Sequence, residues 1–214
     1  MNRATRTIVA TIGIMLAIAG LDHGFFETLQ GSHITSGLVI KAIGPEMKLW
    51  GTEEAFTLVP NYLITGLLAM LVSLAIIVWS VRFVQTKHGA AVFGLLFILL
   101  FLFGGGIAAQ FTFAPFTWGA ATRIHQPLGW WRKILPVGLR SILAKIWPVT
   151  LTVGCLSFLA GLFIAITGFV PGVSDSQRIL AVCWSFVFGG GLGMFLLTFV
   201  AGFAYDIEKR LADV

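Results

Sequence analysis

Charge is what this sequence has least of. Only 11% of its 214 residues are Asp, Glu, Lys or Arg, against about a quarter in an ordinary soluble domain. So few charges cannot cover a soluble core of this size, which excludes a large water-exposed globule. Cysteine is also scarce. Cys155 and Cys183 both fall inside apolar stretches, away from any CxxC or Cys/His spacing, so they read as buried small residues and not as a disulfide or a zinc site. Catalytic signatures are missing as well: there is no nucleophile elbow, no HExxH, no phosphate loop and no Asp-rich transfer motif. That removes any positive ground for naming an enzyme, and no catalytic residue and no metal site is assigned.

What the chain has in quantity is apolar and aromatic. Hydrophobic residues make up 57%, with 19 Phe and 7 Trp, and the mean hydropathy is +0.94. Crossing a hydrocarbon layer of about 30 Å takes about 20 residues of helix. Apolar runs of that order occur at 7–27, 59–81, 90–110, 149–170 and 179–204. The expected fold is therefore all-α, a single polytopic membrane domain over 1–214 with about five transmembrane helices. Arg3 and Arg6 ahead of the first run, with Ala17-Ile18-Ala19 inside it, resemble a secretory leader; we read the segment as the first membrane helix. A bacterial inner membrane is the expected location.

The net charge of +5 is not a nucleic-acid footprint, because the basic residues cluster at the ends of apolar runs, where Lys and Arg face anionic lipid. The mixed segment 28–58 reads as an ordered extramembrane loop with a short interfacial helix at 34–43. The segment 111–148 carries Arg123, Arg132, Lys133, Arg140 and Lys145, expected to meet lipid headgroups. Within it Val137, Leu139, Ile142, Leu143 and Ile146 can share one side of a helix, with Trp130, Trp131 and Trp147 nearby, the pattern of a helix lying in the interface.

Two further patterns bear on architecture. Phe103-Gly104-Gly105-Gly106 recurs as Phe188-Gly189-Gly190-Gly191, which suggests two tandem helical hairpins related by duplication. Gly20-xxx-Gly24 and Gly189-xxx-Gly193 are small-residue faces suited to close helix packing, and the triplets are candidate hinges or points of backbone approach. Topology stays open. Five full spans with the N-terminus outside place nine basic residues inside and five outside, and the reverse orientation inverts this. If 90–122, about 50 Å long as one helix, instead enters and leaves on one side as a broken pair, eleven lie inside and three outside.

The candidate site is Asp22, His23 and Glu27 near the end of the first run. Ionisable groups at such depth are costly unless paired or facing a wet interior. His23 and Glu27 are four apart and share a helical face, while Asp22 is turned about 100° from His23. Together they could form a proton- or substrate-handling pair, a structural pair, or part of a metal site that needs further ligands. Thr57, Asn61 and Thr65 follow at four-residue steps as a polar stripe on the second run, and Gln110 can join them beyond the first glycine triplet. His88 and His125 sit at run ends; only His23 is deep enough to ligate a tetrapyrrole, with no second buried histidine to pair with it, and no cofactor is specified. The functional expectations are an accessory or scaffold subunit packed against partner membrane subunits or copies of itself, a small transporter or ion/proton carrier, and an enzyme acting on lipid. Membrane lipids are the expected contacts.

Overall fold

The computed structural model describes residues 1–43 and 53–212. Its elements are α1 (Arg3–Leu29), β1 (Val39–Ile43), β2 (Glu53–Phe56), α2 (Tyr62–Arg82), α3 (Gly89–Leu102), α4 (Ile107–Thr112), α5 (Ala114–Ala121), α6 (Gly129–Ile134), α7 (Val137–Thr167), α8 (Ser176–Trp184), a π-helical segment (Ser185–Leu192) and α9 (Gly193–Ala212). Among the described residues four helices are long and apolar enough to cross a membrane: α1, α2, α7 and the continuous run Ser176–Ala212. Their surface is the reverse of a soluble protein's. The buried face of α2 is Thr65, Gly66, Ala69, Ser73, Ile76 and Ser80, whereas Leu67, Leu71, Leu74 and Val78 point outward. Small and polar residues inside with large apolar ones outside suit a bundle surrounded by lipid. The chain is an integral membrane protein.

The expected count of about five spans is not confirmed, because the third run does not form one helix. It stops at Leu102 after 14 residues, short of the length needed to cross, turns through Gly104 and Gly106 at φ +92° and +89°, and returns as α4 and α5. Both ends of this pair lie at the same end of the bundle. His125 Nε2 is 2.6 Å from the carbonyl oxygen of Gln85, and Asn2 N donates to Ile124 O at 2.7 Å. This is the broken-pair arrangement. A polyglycine sequence is what lets the turn form, since L-residues rarely adopt these positive φ values.

Two other expectations are corrected. No helix forms at 34–43. Val39–Ile43 is a strand paired antiparallel with Glu53–Phe56, Ile40 opposite Ala55, and β-branched Val39, Ile40 and Ile43 favour that choice. Ile40, Ala42, Ile43 and Ala55 bury against Phe26 and Tyr62, so the hairpin caps the end of the bundle where α1 stops. Nor is 137–146 a separate interfacial helix. It is the first third of α7, continuous through Pro148, and its Leu143 packs with Ala201 and Ala204 of α9. A partner helix for the apolar side was the information that amphipathic periodicity lacked. The two glycine triplets also differ: the first is an unwound turn, the second lies in the π-helical segment, so the duplication is not visible in their conformations.

The helix contacts follow from small residues. A Cβ on Gly24 would lie 2.7 Å from the carbonyl oxygen of Gly66, and one on Gly66 would lie 2.5 Å from that of Gly24. The two backbones of α1 and α2 therefore touch. Gly20 packs on Ser73 and Leu100, and Gly13 on Ser80 and Phe93. By contrast, a Cβ on Gly189 meets nothing within 4 Å, and one on Gly193 meets only Phe188 O at 3.9 Å. Of the two expected packing faces, the first alone is occupied within the described chain.

At the opposite end from the hairpin, α9 caps α1. Asp206 accepts from Ala4 N at 3.1 Å, Thr5 N at 2.9 Å and Thr5 Oγ1 at 2.7 Å, and is 4% exposed. These are first-turn amides that α1 cannot satisfy itself, and the carboxylate also faces the positive end of the helix dipole. Asp206→Ala strands buried donors and is expected to cost about 2–3 kcal/mol, seen as a lowered melting temperature in detergent. Asp206→Asn, which keeps one acceptor, should lose less.

Candidate functional site

The site forms where α1 ends, beside the turn of the broken pair. The end of β2 and the residues just after it pin that turn: Leu58 N donates to Leu102 O at 2.9 Å and Gly104 N to Phe56 O at 3.0 Å. Thr65 Oγ1 donates to Phe103 O at 2.9 Å, and the Thr57 and Thr65 hydroxyl oxygens are 2.6 Å apart. Carbonyls left open where α3 stops thus find partners, as buried backbone groups must. The expected stripe of Thr57, Asn61 and Thr65 is only partly a stripe. The helix begins at Tyr62, so Thr57 precedes it, and Asn61 is the N-cap, accepting from Ile64 N at 3.1 Å and donating to Ser32 Oγ at 3.1 Å. Thr57 and Thr65 position the turn; Asn61 starts α2.

Against this turn lie the side chains of His23 and Glu27. A Cβ on Gly104 would fall onto the Glu27 carboxyl group, and one on Gly106 would lie 2.6 Å from His23 Nε2. The glycines are therefore needed twice, for their backbone conformation and to admit these two side chains. Gly105 turns instead toward Leu100. His23 Nε2 pairs with Glu53 Oε2 at 3.1 Å, and the Glu53 side chain is 33% exposed, which connects the site to the hairpin surface. Glu27 is 0% exposed, and among the described residues neither carboxyl oxygen has a hydrogen-bond partner. His23 Nδ1 and Gln110 Oε1 are likewise buried without one. Gln110 Nε2 donates to Gly105 O at 3.3 Å, so Gln110 reaches the same turn. Asp22 is half-buried on a neighbouring face.

Among the described residues no three His, Cys, Asp or Glu side chains converge as a metal site would require. Glu53, which pairs with His23, is the one residue of this cluster that the sequence alone did not point to. It lies in a mixed segment without helical periodicity, and only the hairpin carries it to His23. The basic residues divide by exposure. Arg123, Arg132, Lys133 and Lys145 are exposed, but Arg140 is 6% exposed and ion-paired with Glu208 of α9, turned away from the headgroup role expected of it.

Comparison of the chain with family models, with curated proteins and with solved structures yields no match.

Proposed function

We propose that this protein is a small membrane carrier for protons or monovalent cations, with Glu27 as the ion-binding group and His23 and Glu53 linking it to the hairpin end of the bundle. The observation that carries the reading is the fully buried Glu27 carboxyl, without a partner among the described residues, set against an unwound turn inside the membrane domain. A buried carboxylate without donors is expensive, and a bound proton or cation removes that cost. Discontinuous helices beside such groups are a recurrent way of building ion sites in transporters, and irregular backbone at that depth is tolerated where it is buried or lines a cavity. The His23 ring, with Nε2 on Glu53 and Nδ1 unpartnered, supplies a group that can pass a proton between surface and site.

Orientation follows from charge. Arg3, Arg6, Arg82, Lys87, Arg123, Arg132, Lys133, Arg140, Lys145, Lys209 and Arg210 lie at or beside the end that carries both termini, while Lys41 and Arg178 lie at the hairpin end. The positive-inside rule then puts the termini in the cytoplasm and Glu53 on the outer side.

The test is reconstitution of the full chain into liposomes enclosing a pH-sensitive dye, with an imposed proton or sodium gradient. Wild-type protein is expected to dissipate one gradient faster than empty vesicles, and Glu27→Gln to return the rate to background. Equal rates for wild type and Glu27→Gln would sink the proposal. A second reading, an accessory subunit, is favoured by one feature: Ser176–Ala212 is the least buried of the four spans, with 22% of its most apolar window covered. Trp184 and Phe188 stack at 4.8 Å on it, beside the unoccupied Gly189. Native mass spectrometry after mild extraction distinguishes the two, because a subunit leaves the membrane with its partners.

A further inference from the structure

We propose that the groove between α5 and α9 holds one anionic glycerophospholipid, its acyl chain in the groove and its phosphate on Arg123. The groove encloses about 490 Å³. One wall is Pro115, Phe116 and Gly119 of α5, the other Phe199 and Phe203 of α9. Both helices run in the same direction, so from Pro115 to Arg123 the groove rises toward the terminal end over about 12 Å at 1.5 Å per residue. That length suits the upper half of an acyl chain. Trp130 and Trp131 close its upper edge, at the level where indole rings favour the interface.

Charge selects the headgroup. Arg123 is exposed and lines the groove, and among the described residues Gln126 Oε1 accepts from its guanidinium at 2.6 Å. The two described carboxylates at this end are engaged elsewhere, Asp206 with the start of α1 and Glu208 with Arg140, so no acid among the described residues competes for the mouth. An apolar slot below a cation fits an amphiphile with a negative head; an uncharged or zwitterionic lipid fills the slot but gains less at Arg123. This proposal is independent of ion carriage, since the groove lies at the end opposite Glu27.

Native mass spectrometry of the purified full chain, incubated with equal amounts of palmitoyl-oleoyl phosphatidylglycerol and phosphatidylcholine, reads it directly. One bound phosphatidylglycerol is expected in about fivefold preference, the scale set by one basic residue at a membrane surface. Arg123→Gln should abolish the preference while retaining lipid, and Gly119→Phe, at a position where a Cβ meets nothing within 4 Å, should fill the groove and remove both lipids. Lys145→Gln, outside the groove, should change nothing. Equal retention by wild type, a preference that survives Arg123→Gln, lipid retained by a monodisperse Gly119→Phe, or equal loss in Lys145→Gln would overturn it; the last would assign the preference to diffuse surface charge.

Discussion

Gly66→Val is expected to cost at least about 3 kcal/mol and to leave little folded protein in detergent. Overpacking a core usually costs about 1–3 kcal/mol, because neighbouring side chains shift to make room. Here the neighbour is the carbonyl oxygen of Gly24, with the Thr28 amide nitrogen 2.8 Å from the same Cβ position. Backbone cannot rotate away, so α1 and α2 must separate, and the seam running through Gly20 on Ser73 and Gly13 on Ser80 opens with them. In lipid the loss is not offset by expulsion of water, since helix association there rests on close packing. Gly24→Val should behave alike. Gly138→Ala is the control: its Cβ has open space, and alanine is the better helix former by up to about 1 kcal/mol. Tryptophan fluorescence against added denaturant would rank the three; a Gly66→Val protein as stable as Gly138→Ala would show that the helices are not in backbone contact.

This seam was only half legible: Gly20 and Gly24 are four apart on an apolar helix, but so are Gly189 and Gly193, where a Cβ meets almost nothing, and spacing alone does not say which small face finds a partner. Long apolar runs were legible where the helix runs uninterrupted, as in α1 and α2. The third run was not. Its composition is that of a span to Gln110, and its interruption depends on how Leu102, Phe103 and Gly104 are held by Leu58, Thr65 and Phe56, residues 38 to 48 positions away. The length of 90–122 was the signal that it breaks. At the site, the shared face of His23 and Glu27 followed from helical spacing, whereas the approach of Gln110 depended on which end of the bundle the third run reaches, which spacing does not fix. Glu53 did not follow, because a short hairpin carries no periodicity that says which helix it will cover. Arg140 shows the same limit in another form: spacing placed it on the polar side of an amphipathic stretch, but only the position of Glu208 on α9 decides that the polar side is buried.

Glu27→Met should raise stability while abolishing ion movement. The carboxyl group is buried with both oxygens lacking partners among the described residues, and mutational series put the cost of an unpartnered buried polar group at about 1–3 kcal/mol. Methionine is unbranched, of similar length and free to adapt to the space beside Gly104, so it removes that cost with little new strain. For a domain of this size the gain corresponds to a rise of roughly 3–10 °C in melting temperature. Glu27→Gln keeps two polar atoms in the same place and should stay near wild type, so the two substitutions separate polarity from volume. Gly104→Ala completes the comparison. It combines a positive φ, worth about 1–3 kcal/mol of strain, with a Cβ driven into the Glu27 carboxyl group. In combination with Glu27→Ala, the collision disappears and the backbone strain stays, so the double variant should recover part of the loss. A carboxyl retained only for its structural contacts predicts the opposite pattern, with Glu27→Met less stable than wild type. A carboxyl retained for what it binds is a place where the protein forgoes stability for activity, and a more stable but inactive Glu27→Met protein is the form that trade takes.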